Sequence, residues 1–171
     1  LTGGASRRMG TDKSLLEVAG KPLAERIAKE LSAKNLAVTV LGREPIEGFG
    51  FLPDSVDYAG PLEALSRVRP SAKLIAVLAC DLPRLDGGVI LKLAEEFDEG
   101  GDAVVPVLNG KRQPLCSIYR PRAWGRMPAE GKRSMMAWLD RLQVRELDED
   151  RLLAIGIDPQ TLRGFNTPEE F

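Results

Sequence analysis

Apolar segments with the lengths of strands alternate along this chain with segments that have the periodicity of helices. The strongest strand pattern is residues 74–79 (LIAVLA), which are apolar throughout, as in a central parallel strand. The clearest helix follows Pro22, because Leu23, Ile27 and Leu31 recur at helical spacing. This alternation predicts an α/β fold, a three-layer, open and mostly parallel sheet with helices on both faces. Ligands of such sheets bind at the carboxyl ends of the strands.

The remaining segments extend the same pattern through a single domain. We predict further strands at residues 36–41, 103–107, 115–119 and 144–147, and further helices at residues 61–68, 89–97 and 134–142. No repeat, low-complexity tract or linker divides the 171 residues, a length that suits one domain with a sizeable core. Because the sequence opens without methionine on a loop, we expect that its first strand is truncated at the N terminus.

Composition excludes several classes of function. Without histidine, neither a Ser-His-Asp triad nor a Cys-His pair can form, and two cysteines are too few for a zinc cluster. A net charge of −1 and an aromatic content of 5% disfavour nucleic-acid binding. The longest apolar run, residues 74–80, is too short to cross a membrane, and no signal peptide is visible. Two distant cysteines suit a reducing compartment, so we predict a cytoplasmic location.

The first thirteen residues combine glycines with basic side chains, as phosphate-binding loops do. Backbone N–H groups near Gly3 and Gly4 can approach phosphate oxygens closely. Arg7, Arg8 and Lys13 supply the countercharge that a polyphosphate needs. A Walker A lysine directly follows a glycine, whereas Lys13 follows an aspartate, and no G-x-G-x-x-G pattern is present. The alternative to a phosphate site is a glycine-rich surface turn with solvated arginines.

This segment resembles the signature L-x-G-G-x-S-x-R-M-G-x-D-K of the nucleotidyltransferases that build molybdenum cofactors, and most of all the guanylyltransferases among them. The resemblance extends over residues 1–170 and implies a Rossmann-like nucleotidyltransferase fold, similar to that of nucleotide-diphospho-sugar transferases. It implies that Leu1, Thr2, Gly3, Gly4 and Lys13 bind the nucleotide and that Lys13, Arg7 and Arg8 act in catalysis. Cytidylyl-transferring relatives tend to have alanine at the position of Gly3, so the glycine favours GTP over CTP.

A second chemical pattern, Cys80-Asp81-Leu82-Pro83, directly follows the strongest strand. A carboxylate at this point projects into the ligand crevice. Its hard oxygens suit Mg²⁺, which usually takes one or two carboxylates together with substrate phosphates. The resemblance makes Asp81 the magnesium ligand, with a catalytic and a nucleotide-binding role. The alternative is an aspartate that caps the turn before Pro83.

Three further positions depend on the resemblance. Asp54 matches an aspartate that contacts the nucleotide, in a stretch similar to D-x-x-x-x-x-G-P-L. Gln113, in a segment similar to Q-P-L-x-A-L-Y, and Asn166, in a segment similar to N-x-N-T-P-E, are implied to bind the pterin substrate. The chain departs from the last pattern, because Gly164 stands at its first asparagine. A turn, a strand and a helix cap are the structural alternatives for these three segments.

Together, these resemblances imply an enzyme that transfers GMP from GTP to molybdopterin, or to its molybdenum-loaded form, and releases pyrophosphate. They imply Mg²⁺ as cofactor, and molybdoenzymes or other cofactor-synthesis proteins as partners, without nucleic acid or membrane. A substrate phosphate is already a nucleophile, so the reaction needs no general base, which suits a chain without histidine. Three alternatives stay open: the same chemistry with CTP or another phosphorylated acceptor such as a sugar phosphate, a nucleotide-binding module without turnover, and a P-loop NTPase.

Overall fold

The computed structural model describes residues 1–2, 17–18, 21–53, 60–129 and 133–164. The helices are α1 (Leu23–Ala33), α2 (Pro61–Ser66), α3 (Gly87–Glu95), α4 (Met135–Leu139) and α5 (Glu149–Ala154), with 3₁₀ helices at Pro121–Arg126 and Pro159–Leu162. The strands are β1 (Glu17–Val18), β2 (Lys21–Pro22), β3 (Thr39–Gly42), β4 (Gly50–Pro53), β5 (Ile75–Leu78), β6 (Ala103–Leu108), β7 (Lys111–Arg112), β8 (Cys116–Tyr119) and β9 (Val144–Leu147).

A mixed sheet forms the centre of the described fold. Its strand order is β5–β8–β6–β9, and β7 pairs with the end of β6. The alternation of strands and helices predicts a mostly parallel sheet, but β8 runs antiparallel to both β5 and β6. The reversal follows from the short connection between β6 and β8, because parallel neighbours need a crossover of about a dozen residues or more. Asn109 and Gly110, with φ of 50° and 71°, make the tight turn that ends β6.

Two hydrophobic cores, one on each face of the sheet, produce the three layers. Successive residues of a strand point to opposite faces, so Val104 lies in one core, whereas Ala103 and Val105 lie in the other. The first core receives side chains from α1, α3 and α5, and the second from α2, α4 and the first 3₁₀ helix. Leu93 and Trp138 are 0% exposed in these two cores. The predicted α/β fold with helices on both faces is therefore confirmed.

Side chains at the helix starts set several of the observed bounds. Ser134 accepts a hydrogen bond from the N–H of Ala137 before α4, and Asp148 accepts one from the N–H of Arg151 before α5. The sequence pattern does not predict α5 or β4, because each is short and carries few apolar positions. None of the helices within the described ranges is both long and apolar enough to cross a bilayer.

Leu1 and Thr2 lie between β3 and β5. The Leu1 nitrogen donates a hydrogen bond to the carbonyl of Leu78 at 2.8 Å. The Thr2 N–H donates to the carbonyl of Leu41 at 2.8 Å. These two bonds place the beginning of the first loop at the carboxyl ends of both β3 and β5.

A cavity of about 530 Å³ lies between β3 and β5. Side chains of both strands and of α1 and α3 line it. Thr39 in β3 and Ala76 in β5 are exposed and contribute to this lining. The segment at residues 74–79 forms β5, which pairs with β8 alone among the described strands, so it is not the central parallel strand that its sequence predicts.

Candidate active site

Three predicted site residues, Leu1, Thr2 and Asp81, lie along one edge of the molecule, at the carboxyl ends of β3 and β5. Thr2 is held at this edge because its hydroxyl, as well as its N–H, donates to the carbonyl of Leu41, at 3.2 Å. β4 runs parallel to β3 and ends at Pro53, directly before Asp54. β5 ends three residues before Asp81. This is the edge at which ligands of α/β sheets bind.

Asp81 is partly buried, in a loop whose backbone is held from two sides. The guanidinium group of Arg26, on α1, donates to the carbonyl of Pro83. Leu82, directly after Asp81, is 4% exposed and packs into the first core. A carboxylate on a fixed backbone can hold a charged ligand in one place, because its supporting contacts limit its movement.

The helix after this loop is capped by another aspartate. The carboxylate of Asp86 accepts hydrogen bonds from the N–H groups of Gly88 at 2.7 Å and Val89 at 3.1 Å, at the start of α3. Capping of α3 therefore belongs to Asp86, five residues after Asp81. The position of Asp81 in the loop that follows β5 is the feature that makes it a candidate ligand-binding residue.

Gly164 lies directly against Asp81. A Cβ atom at this glycine would lie 3.2 Å from both Cγ and Oδ1 of Asp81, and 3.3 Å from its carbonyl oxygen. Leu162, two residues earlier, is 0% exposed and belongs to the same core as Leu82. The fold thus brings the predicted metal ligand into contact with the position where this chain departs from the N-x-N-T-P-E pattern.

The charge of Asp81 also reaches the thiol of Cys116, the first residue of β8. Burial raises the pKa of Cys116 to about 12, and the negative charge of Asp81 adds to the increase. Cys116 is 2% exposed, so it stays a protonated, unreactive thiol at neutral pH. The carboxylate of Asp81 thus adds negative charge beside the first residue of β8.

Gln113 lies in the turn between β7 and β8, beside the loop that follows β5. The link between the two segments is the hydrogen bond from the N–H of Ala79 to the carbonyl of Leu115, at 2.7 Å. The backbone N–H of Gln113 donates to the carbonyl of Pro106 at 2.8 Å. Its side-chain amide donates to the carbonyl of Lys111 at 2.9 Å. The structure thus places Gln113 near the candidate crevice, in a turn that its own backbone organises.

Two residues that sequence reasoning does not single out hold this turn in place. The Ser117 hydroxyl donates to the carbonyl of Gln113 at 2.6 Å, and the Tyr119 hydroxyl donates to the carbonyl of Pro114 at 2.8 Å. Both residues are 0% exposed, and burial raises the pKa of the Tyr119 phenol. The available indication in the sequence is a serine and a tyrosine within a buried strand, where each polar group needs a partner.

The donor chemistry at this edge fits a magnesium ion that is shared with a substrate. Within the ranges that the structure describes, no group of three or more acidic, thiol or imidazole side chains forms a metal cluster. Mg²⁺ does not require such a cluster, because it retains waters and usually binds through one or two carboxylates plus substrate phosphates. The partly buried carboxylate of Asp81 supplies oxygen ligands of this kind.

Other predicted site residues lie outside the described residues, and their roles stay predictions. They are Gly3, Gly4, Arg7, Arg8, Lys13, Asp54 and Asn166. The segment that carries the first five directly follows Thr2, and Asp54 directly follows β4. Thr2 and Pro53, the described residues directly before Gly3 and Asp54, lie at the same edge as Asp81.

Comparisons with known proteins agree with this fold. A family model described as the MobA-like NTP transferase domain matches residues 1–147. A relative from Synechococcus elongatus, named probable molybdenum cofactor guanylyltransferase, is 32% identical over 164 residues, which cover 86% of this chain and 84% of the relative.

Two solved structures show the same fold. Molybdopterin-guanine dinucleotide biosynthesis protein A from Archaeoglobus fulgidus superposes with a TM-score of 0.78 at 23% identity, covering 99% of this chain and 91% of its own. The 2-C-methyl-D-erythritol 4-phosphate cytidylyltransferase from Thermus thermophilus has a TM-score of 0.63 at 18% identity, covering 95% and 91%. The nucleotidyltransferase fold and the family resemblance of the first loop are confirmed, and the chain belongs to the MobA-like NTP transferase family.

Proposed function

We propose that this chain transfers GMP from GTP to molybdopterin or to the molybdenum cofactor, with release of pyrophosphate. The observation that carries the proposal is the placement of Asp81 three residues after the end of β5, at the edge where Leu1 and Thr2 begin the first loop. A relative that covers most of the chain is named for this guanylyl transfer. The absence of histidine also suits a reaction that needs no general base.

The reaction forms one phosphoanhydride bond and breaks another. A terminal phosphate oxygen of the acceptor attacks the α-phosphorus of GTP in line, and the bond from that phosphorus to the bridging oxygen of pyrophosphate breaks. Because the attacking phosphate is already an anion, the chain has to orient the two substrates and balance their charge. Asp81 would hold Mg²⁺, which when bound neutralises charge on the phosphates.

The first segment supplies the remaining contacts to the triphosphate in this proposal. N–H groups of Gly3 and Gly4, with the guanidinium group of Arg7 or Arg8, hold the β- and γ-phosphates. Lys13 either balances charge near the α-phosphate or holds the base and ribose. These roles come from the resemblance of the segment to the family signature.

The nucleoside and the acceptor occupy neighbouring parts of the same crevice in this proposal. Leu1, Thr2 and Asp54 contact the nucleotide, and Gln113 and Asn166 contact the pterin. The hydrogen bonds of Thr2 to β3 and the turn at Gln113 support this division, since they lie on either side of the Asp81 loop. The proposed setting is the cytoplasm, with molybdoenzymes or other cofactor-synthesis proteins as recipients of the product.

The test is product formation from molybdopterin, Mg²⁺ and either GTP or CTP, with pyrophosphate and the dinucleotide both measured. A guanine dinucleotide from GTP alone is the expected result. Product from CTP alone would keep the chemistry but refute the choice of base and the role given to Gly3. Nucleotide binding without product from either one would refute transfer to molybdopterin.

A further inference from the structure

The backbone conformation of Gly164 does not require a glycine at this position. Its φ lies outside the left-handed region, so the backbone at residue 164 admits any side chain. Elsewhere in the described chain, Gly48, Gly60 and Gly110 have positive φ and nothing within 4 Å of a Cβ position. At those three positions the positive φ favours glycine. At Gly164 it is the neighbouring atoms that leave little room for a side chain.

The atoms that Gly164 touches belong to Asp81. A Cβ atom at residue 164 would stand 3.2 Å from Cγ and Oδ1 of that carboxylate, closer than such atoms normally pack. One partner would have to shift by a few tenths of an ångström. The carboxylate of Asp81 therefore occupies part of the space that any side chain at residue 164 would need.

A Cβ at residue 164 would also lie 3.3 Å from the backbone carbonyl oxygen of Asp81. Packed leucines hold the backbone near both residues, so the carboxylate of Asp81 is the contacting group that moves most readily. Leu82 and Leu162 are 4% and 0% exposed in one core, and each lies within two residues of the contact. The 3₁₀ helix before Gly164 begins at Pro159, and the carboxylate of Asp158 accepts a hydrogen bond from the N–H of Gln160 at 2.9 Å. Moving either backbone would disturb packed leucines, which is more costly than rotating one carboxylate.

We propose that Gly164 is a positioning residue for the Asp81 carboxylate, and that its lack of a side chain sets the direction in which this carboxylate meets a metal–nucleotide complex. The proposal rests on the proposed role of Asp81 as a metal ligand. A ligand that moves by a few tenths of an ångström still binds, but in poorer geometry, because Mg²⁺ demands nearly ideal octahedral coordination.

The test compares Gly164→Ala with the wild type and with Gly125→Ala. Gly125 is a matched control, because it has no positive φ and a Cβ there would meet nothing within 4 Å. Binding of Mn²⁺ in the presence of GTP, without acceptor, is followed by the loss of the paramagnetic resonance signal of free Mn²⁺. GTP binding in EDTA and the melting temperature are measured on the same samples.

We expect Gly164→Ala to weaken Mn²⁺–GTP binding about tenfold, a typical effect of disturbing a residue that orients a metal ligand. GTP affinity in EDTA should stay unchanged, the melting temperature should move by less than about 2 °C, and Gly125→Ala should behave as the wild type. Unchanged Mn²⁺ binding in Gly164→Ala would overturn the inference, as would a large fall in its melting temperature, since that result would make Gly164 a packing residue.

Two further variants separate this inference from the proposed function. If Asp81→Asn binds Mn²⁺–GTP as well as the wild type, the metal role of Asp81 is refuted and the inference fails with it. If Asp81→Asn is impaired and Gly164→Ala is not, the inference alone fails. Gly164→Asn introduces the first asparagine of the N-x-N-T-P-E pattern. If this variant has a lower KM for molybdopterin and unchanged Mn²⁺ binding, residue 164 contacts the substrate in the family pattern, and the inference is overturned.

Discussion

Asp81 and Asp102 lie at opposite edges of one sheet, and their surroundings differ in burial and in charge. Asp81 follows β5 and is partly buried, whereas Asp102 precedes β6 and is 0% exposed. Because β5 and β6 both pair antiparallel with β8, the beginning of β6 and the end of β5 lie at opposite edges. The Asp81 carboxylate therefore lies at the edge where ligands of such sheets bind, whereas the Asp102 carboxylate is enclosed by the protein.

Asp102 has its charge balanced by groups of the chain itself. Its carboxylate accepts hydrogen bonds from Arg122 Nε at 2.6 Å, from a terminal nitrogen of Arg126 at 2.9 Å and from the N–H of Gln143 at 2.9 Å. Arg122 also donates to the carbonyls of Gly100 and Gly101, at 2.5 and 2.9 Å. This cluster ties the start of β6 to the first 3₁₀ helix and to the segment before β9.

Because of this difference, we expect the two aspartates to have different roles in the protein. A carboxylate that already holds two guanidinium groups and a backbone N–H has little capacity for another ligand, so Asp102 stabilises the fold. Asp81 has Gly164 packed against its carboxylate, at the edge where the first loop begins. We therefore expect substitutions at Asp81 to affect turnover and substitutions at Asp102 to affect stability.

The largest expected effect is on turnover, in Asp81→Asn. We expect kcat to fall by about 10²- to 10³-fold, because the amide cannot balance the charge of a metal–nucleotide complex as a carboxylate does. The free energy of unfolding should change by less than about 1 kcal/mol, since the loop is anchored by Leu82 and Arg26. Initial rates and urea unfolding measure the two effects, with Asp86→Asn as the control. Normal turnover in folded Asp81→Asn would show that the Asp81 carboxylate does not serve catalysis.

Asp102→Asn should produce the reverse pattern. We expect the free energy of unfolding to fall by about 2 to 3 kcal/mol, because two guanidinium groups lose their anionic partner. This value is at the low end for buried pairs, since the side chains of Arg122 and Arg126 are both 48% exposed and can be solvated. The kcat of the folded variant should stay within about twofold of the wild type. A rate loss that exceeds the stability loss would show that the enclosed edge also serves catalysis.

The pH dependence of stability tests the stabilising role of Asp102 directly. Burial raises the pKa of Asp102, but the Gln143 N–H and the two arginines outweigh it, so the pKa lies below its ordinary value of 3.8. The hydrogen bond from Arg151, with help from Arg145, likewise lowers the pKa of Glu96 below 4.5. Both groups then stabilise the fold fully above these ordinary values, and the stabilisation is lost as the pH falls through the lowered values.

We expect the wild type to lose stability steeply below about pH 4, and Asp102→Asn to lose less over the same range. Urea unfolding at a series of pH values between about 2 and 7 measures both slopes. Equal slopes for the two proteins would show that protonation of Asp102 does not contribute to the loss of stability in acid. Glu96→Gln serves as the comparison variant, because its arginine partners lie outside the Asp102 cluster.

Sequence patterns predict the elements of this fold better than the contacts between them. The apolar segment at residues 74–79 and the helical spacing after Pro22 predict β5 and α1, and the position of Asp81 follows because a strand end determines it. The direction of β8 does not follow, since it depends on a short connection. The cluster at Asp102 and the contact of Gly164 with Asp81 join segments far apart in sequence, which local patterns do not encode.

The smallest expected effect concerns the neighbouring turn, in Gln113→Ala. The backbone of Gln113 bonds to Pro106 and accepts from Ser117, so loss of the side chain should leave the turn intact and lower the free energy of unfolding by less than about 1 kcal/mol. If the amide binds the pterin as proposed, the KM for molybdopterin should rise about threefold to tenfold while the KM for GTP stays constant. Initial rates at varied concentrations of each substrate measure these two KM values.

Tyr119→Phe is the control for Gln113→Ala. It removes the hydrogen bond to Pro114, so it loosens the turn and keeps the Gln113 amide. Equal effects of the two variants on the KM for molybdopterin would assign Gln113 to the turn alone, and the ligand-binding edge would then depend on Asp81 and the first segment.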